Sequence, residues 1–282
     1  MTATLETTKL TDTVGAEVHG VDVERMLGDD DLPSAVLDTL EANGVLVFRD
    51  LHLDDASQVA FSRRLGEPVI LGRGGEHPEI FIVTLDPARS RSAVYLKGTF
   101  DWHIDGLTDD IPIMATLLAA HAVAESGGET EFASTYAAYD DLTDEEKERF
   151  ESIRVVHTIE ATQRRVFPDP TDEQVALWRT RPPKEHPLVW HHRDGRRSLV
   201  LGPTAAEVVG MDHDEGEAFL ADLMDRTTAP GRVYTHHWAV GDFVIWDNRG
   251  VVHRALPYAE TSPRDMHRTT LHGDEAIASS AA

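Results

Sequence analysis

The last third of the chain constrains the fold most. RVYTHHWAVGDFVIWDNRGVVHRAL and, a few residues on, DMHRTTLHGD offer three short strand-like runs, broken at Gly241-Asp242 and at Asn248-Arg249-Gly250. Strands this short, joined by turn residues and not by helices, pair as antiparallel neighbours. Helical patterns lie earlier. DLPSAVLDTLEAN (31–43) has helical apolar spacing and stops at Gly44, a good left-handed cap; residues 54–65 stop at Gly66. TDEE (143–146) reads as a capping box, and 214–226 has amphipathic spacing. GVLVFRD (44–50), EIFIVTLD (79–86) and IMATLLAAHAV (113–123) read as strands, and Asp194-Gly195 as a hairpin turn between LVWHHR and RRSLVLG. Helices early and mid-chain with strands gathered late predict an α+β fold. The expected core is an antiparallel sandwich or barrel decorated with helices, not alternating β–α units. No repeat or linker divides the sequence, so one domain over residues 1–282 is expected.

Composition narrows the function classes. The 282 residues carry 50 acidic and 26 basic side chains, a formal charge of −24, with 15 histidines and no cysteine. A surface this negative repels phosphate backbones and anionic headgroups, so neither nucleic acid nor membrane is an expected partner. No apolar run approaches the roughly 20 residues that a bilayer-spanning helix needs. The N-terminal residues lack the apolar stretch of a signal peptide, so a cytoplasmic location is expected. Without cysteine there is no disulfide, thiolate nucleophile, Cys-type zinc site or iron–sulfur cluster. Any metal must be held by histidine and carboxylate.

A non-heme iron centre takes two histidines and one carboxylate on one face, leaving three positions open. A His-x-Asp pair on a strand suits this, because alternate residues point the same way. The pair alone is weak: 15 histidines and 28 aspartates give about 1.5 matches by chance. Four occur, at His52/Asp54, His103/Asp105, His192/Asp194 and His272/Asp274. Asp54 stands where a helix starts, Asp194 in a hairpin turn and Asp274 beyond the last strand, and each has a structural explanation there. His103 and Asp105 alone sit in an apolar–aromatic frame, FDWHIDG; a surface strand end would read the same. His253, in GVVHRA after the turn at 247–250, could lie beside them in a jelly roll. Arg264 and Arg268 follow, either paired with an anion at an apolar pocket or solvated on a C-terminal strand. His236 and His237 are adjacent and point to opposite faces of a strand, so they cannot share a metal, and His267 would face away from Arg268.

These stretches resemble the taurine dioxygenase and 2,4-dichlorophenoxyacetate dioxygenase (TauD/TfdA) family of Fe(II)/2-oxoglutarate-dependent oxygenases. The resemblance runs from VGAEVHGVD (14–22) to RTTLHGD (268–274). It is carried by WHIDG, GGET with TYAAYDDL after it, SLVLG, and GDFVIWDNRGVVHRA continuing into PRDMHRTTL. It implies a double-stranded β-helix (jelly roll) core with flanking helices, with Fe(II), 2-oxoglutarate and O2 as cofactor and co-substrates. Residue by residue, it makes His103, Asp105 and His253 the iron ligands. It gives Thr130 and Arg264 to the distal carboxylate of 2-oxoglutarate, and Arg268 to the anionic group of a substrate.

The implied reaction is hydroxylation of an aliphatic C–H in a small anionic molecule, carboxylate or sulfonate-like, with release of succinate and CO2. Desaturation, epimerisation or ring formation in a biosynthetic pathway would use the same chemistry. Asp105 is present where related halogenases lack a carboxylate. Leu71, Gly74 and Thr99 stand where the taurine enzyme uses histidine, tyrosine and asparagine on its substrate, so taurine is not the expected substrate. Leu71, Thr99 and Lys97 are candidate substrate neighbours, with Lys97 either a second anion contact or a solvated charge. Homodimers or homotetramers are expected from the resemblance. Readings from other classes are a non-catalytic β-helix that binds a small acid or metal, and a zinc hydrolase. A binding module has no need to keep three open iron positions, and a zinc hydrolase gains nothing from Arg264 and Thr130.

Overall fold

Successive residues of a strand face opposite sides, and here both sides of the main sheet are apolar. The computed structural model describes residues 5–71, 75–90 and 92–278. Seven strands form the larger sheet in the order Glu6–Lys9, Ala16–His19, Val45–Phe48, Phe243–Asp247, Ala115–Ala122, Asp265–Leu271, Phe81–Val83. Every pairing is antiparallel except that of Ala16–His19 with Val45–Phe48. Three strands, Val233–His236, Thr130–Ser134 and Val251–Ala255, form a smaller antiparallel sheet.

The two sheets share a core. Phe132, Tyr234 and Val251 of the smaller sheet pack with Leu118, Val244, Trp246 and Met266 of the larger one. Phe132 and Trp246 are buried with ring centroids 5.5 Å apart, and burying a side chain of that size contributes about 2–3 kcal/mol. The alternate residues Leu46, Phe48, Leu117, Phe243 and Ile245 face outward beneath the helices Leu32–Asn43 and Asp55–Leu65. On the far side of the smaller sheet, Ala133 and Val252 pack under the intervening segment through Tyr139, Phe150, Trp190 and Leu223. Two facing antiparallel sheets with strands crossing between them, covered by helices, make a double-stranded β-helix.

Local signals explain the helix ends. Gly44 closes Leu32–Asn43 at φ 72. Asp54 caps Asp55–Leu65 by accepting from the Ser57 amide at 2.8 Å. Thr143 and Glu146 form both bonds of a capping box at Asp144–Phe150. Asp194-Gly195 joins the paired strands Val189–His191 and Arg197–Leu199. Residues 232–274 hold four strands instead of three, with Val233–His236 and Phe243–Asp247 in different sheets. The expected strand at 79–86 shrinks to Phe81–Val83. Among the described residues, no helix is long and apolar enough to cross a membrane.

Candidate active site

His103 follows the 3-10 helix Ala93–Phe100 and forms a single antiparallel bridge with His253, each amide donating to the other's carbonyl at 2.9 Å. One bridge, and not a full strand, therefore holds the His-x-Asp segment against Val251–Ala255. Directly behind the ligand pair the chain folds back at Gly106, φ 87, where a Cβ would lie 2.9 Å from the Ile113 nitrogen. The His103 and His253 rings are 4.1 Å apart. Both Nε2 atoms face Asp105, at 3.7 and 3.8 Å, and the ligating atoms of the three residues all lie within 4.8 Å of one another.

The surroundings favour the metal-binding protonation states. His103 Nδ1–H donates to the Asp101 carbonyl at 2.8 Å, which leaves the Nε2 lone pair free. Burial, then the neighbouring His103 imidazole, push His253 well below its ordinary 6.5, so its ring is neutral. Burial alone would raise Asp105, but Arg268, 3.6 Å away, and the two imidazoles hold its carboxyl below 3.8. Thr116 adds a hydrogen bond at 3.3 Å. The other three His-x-Asp pairs are explained by structure: Asp54 caps its helix, Asp194 accepts from the Arg196 amide, and Asp274 pairs with Arg193.

Beside this cluster is a cavity with apolar walls from Val83, Leu96, Leu118 and Trp246, and polar groups from Thr130, Arg264 and Arg268. Arg264 is 2% exposed, and no carboxylate among the described residues pairs with it. Its Nη1 has no hydrogen-bond partner there, and its guanidinium lies over the Tyr258 ring at 4.8 Å. Burial draws its pKa below the usual guanidinium value against the opposing effect of Tyr258. A buried cation without an anion is costly, and an anion entering the cavity would relieve that cost. Gly128 makes room for it: a Cβ there would meet Arg264 Cδ and Nε at 3.2 Å. Thr130 is buried and accepts from Trp238 Nε1 at 2.9 Å, which leaves its own hydroxyl proton to donate.

The remaining sequence candidates fall in different places. Arg268 lines the cavity and lies over Phe81 at 5.0 Å, with its Nε unpaired among the described residues. Thr99 also lines it, but its hydroxyl is spent on the Leu96 carbonyl at 2.6 Å. Of the two readings of Lys97, its ammonium pairs with exposed Glu260 at 2.6 Å, and Lys97 is not among the cavity's lining residues, whereas Leu96 and Thr99 are. Leu71 is half-buried and is not among the cavity's lining residues. Gly74 lies outside the described residues. Sequence reasoning missed Tyr258 and Trp238, since neither sits in a chemical motif. A larger cleft of 420 Å³ opens beyond Trp102, towards helix His213–Thr227. No histidine among the described residues lines it, so the chemistry belongs to the smaller cavity.

Two imidazoles and a carboxylate with open positions suit ferrous iron, and the Arg264 socket with Thr130 suits a dicarboxylate. Fold and donor set together define a non-heme iron oxygenase. The model of the family described as taurine catabolism dioxygenase TauD, TfdA family matches residues 6–270. The alpha-ketoglutarate-dependent 2,4-dichlorophenoxyacetate dioxygenase of Cupriavidus pinatubonensis is 33% identical over 278 residues, covering 93% of this chain and 96% of that protein. An alpha-ketoglutarate-dependent sulfate ester dioxygenase of Pseudomonas putida is 30% identical over 282 residues, covering 94% and 88%. The crystal structure of AAD-2 in complex with Mn(II) and N-oxalylglycine superposes with a TM-score of 0.82 at 31% identity, covering 98% of this chain and 100% of that one. The chain belongs to the TauD, TfdA family. It is an Fe(II)- and 2-oxoglutarate-dependent dioxygenase that acts on a small molecule.

Proposed function

We propose that His103, Asp105 and His253 hold Fe(II), that Arg264 and Thr130 hold the distal carboxylate of 2-oxoglutarate, and that Arg268 receives the anionic group of a small organic acid or sulfate ester. Arg264 is the observation that carries this reading. A buried guanidinium with no carboxylate of its own, in the cavity that His103 and His253 also line, demands an anion there. The relatives act on a phenoxyacetate and on sulfate esters, and both substrate classes carry an anion for Arg268.

With bound iron, 2-oxoglutarate and O2, the chemistry supplied is oxidative decarboxylation coupled to attack on a C–H bond. One oxygen atom goes to succinate, with loss of CO2, and the other to the substrate carbon as hydroxyl. The chain's own residues arrange the participants. Asp101 fixes the ring of His103 through its carbonyl, and Trp238 turns the Thr130 hydroxyl outward. Arg264, just before strand Asp265–Leu271, and Arg268 within it both line the cavity and supply two separate cations, so two anions need not compete for one. Val83, Leu96, Leu118 and Trp246 keep water from the C–H bond. The test is succinate formation from 2-oxoglutarate with Fe(II) and O2 across a panel of aryloxyalkanoates and alkyl sulfates. Stimulated turnover supports the reading; no succinate with any member of the panel overturns it.

A further inference from the structure

A second cluster of two histidines and an aspartate lies on the outer face of the larger sheet. Alternation along Asp265–Leu271 sends Met266 and Arg268 inward and His267 outward, towards the first turn of helix Asp55–Leu65. There His267 Nδ1 hydrogen-bonds Asp55 Oδ1. His121 stacks on His267 at 3.8 Å with the planes 21° apart. The ligating atoms of Asp55, His121 and His267 all lie within 4.8 Å of one another.

The local strand geometry is irregular at this point. Asp265 pairs with Ala122 and Met266 with Ala120, so His121 is the extra residue of a β-bulge. Bulges re-aim side chains, and this one delivers an imidazole onto its neighbour. The cluster also holds unspent polar atoms. His121 Nε2, His267 Nε2 and Asp265 Oδ1 are buried without hydrogen-bond partners among the described residues, although His267 Nε2 and Asp265 Oδ1 are only 3.5 Å apart.

We propose that Asp55, His121 and His267 form a second divalent-metal site, of the kind that takes Zn²⁺ with water completing the coordination. The ion replaces the proton shared by Asp55 and His267, and that proton leaves to solvent. Metal on Nδ1 fixes the remaining proton on Nε2, where Asp265 accepts it, the usual role of a carboxylate behind a metal-bound histidine. Two imidazoles and one carboxylate match zinc chemistry. Asp55, at 35% side-chain exposure, is the open side of the site, through which the ion exchanges with solution.

Co²⁺ serves as the spectroscopic probe, titrated into protein stripped with a chelator and followed by visible absorption and equilibrium dialysis. The wild type is expected to bind two equivalents, His103→Ala one and His121→Ala one. The double variant His103→Ala/His121→Ala is expected to bind at least tenfold more weakly than either single variant. Asp55→Asn in the His103→Ala background should likewise weaken binding at least tenfold. It should also abolish the rise in melting temperature that Zn²⁺ gives His103→Ala protein. An intact Fe(II)–2-oxoglutarate absorption band in His121→Ala shows that this variant folds. The proposal is overturned if His103→Ala protein takes up no Co²⁺, or takes up the same amount after His121 is replaced. Loss of the iron–2-oxoglutarate band from the wild type would instead overturn the assignment of the inner site, so the two failures are separable.

Discussion

The inner and outer His-His-Asp clusters use the same three side-chain types, yet their neighbourhoods differ. His103, Asp105 and His253 lie beside a cavity with a free, buried cation at hand. Asp55, His121 and His267 lie against a helix end, partly buried, with Asp265 3.5 Å from His267. Donor chemistry is therefore shared between the two, while reactivity depends on whether an excluded volume and a second anion socket adjoin the metal. The contrast teaches that a ligand set defines what can bind, and its surroundings define what can react.

The largest effect that could break this comparison is on turnover. His103→Ala should lower substrate-dependent succinate formation by at least about 1,000-fold, since even partners that merely orient a ligand cost 10- to 100-fold. His121→Ala should leave turnover within about twofold. Equal losses would remove the distinction between the clusters.

Next in size is Arg264→Met. Losing the charged contact should raise the KM for 2-oxoglutarate roughly 30- to 1,000-fold, as expected for about 2–4 kcal/mol. The same change deletes an unpaired buried cation, so the protein without co-substrate should gain about 1–4 kcal/mol of stability in urea unfolding. A destabilised variant would show that Arg264 has a partner of its own and is not a socket.

Arg268→Met sharpens the division of labour within the cavity. The KM for the anionic substrate should rise roughly 10- to 150-fold, while 2-oxoglutarate binding, read from the iron chelate absorption, stays unchanged. A matching loss of 2-oxoglutarate affinity would merge the two anion sites into one.

The smallest effect is on pH, and it separates histidines kept neutral by burial from the half-exposed outer pair. Burial, with a smaller effect from His186, pushes His157 down to about 3, below the 6.5 of the unfolded chain. The unfolded state then binds a proton that the folded state refuses, so stability rises with pH between about 3 and 6.5 and is lost as pH falls through that window. At pH 5 this single residue costs about 2 kcal/mol relative to pH 7.5. In urea melts at the two pH values, His157→Leu should shrink the difference by that amount. His121→Ala should shrink it less, because its imidazole is less buried. Equal changes would place both histidines in one class.

Much of the frame was legible in the sequence because its signals are local. Gly44, Asp54 and the Thr143/Glu146 box each act within one turn of chain, and helices begin and end where they stand. The inner trio was legible because one period-2 pair and one distant histidine sit in unusual apolar frames, which the family resemblance joined. What escaped depends on register. Trp238 reaches Thr130 only because Val233–His236 pairs with Thr130–Ser134, placing His236 opposite Thr130. The outer cluster depends on a bulge at His121, which no alternation pattern announces. Lys97 could have turned either way from its 3-10 helix, and Glu260 decided it. The edge strand Glu6–Lys9 carried little signal, since it is exposed along its whole length.

Strand Asp265–Leu271 is read from both sides, and this limits how the gene can change. Substitutions at Arg268 retune the inner cavity while helix Asp55–Leu65 meets His267, Thr269 and Leu271 on the other face, so selection can act on one face without disturbing the other. A single-residue insertion or deletion before Asp265 has no such privacy. It would rotate every side chain to the opposite face, turning the His267 imidazole towards His103, Asp105 and His253 and sending Arg268 against the helix. Register on this strand is thus an insulator between two chemistries. Divergence within the family should proceed here by point replacement and never by a shift in length.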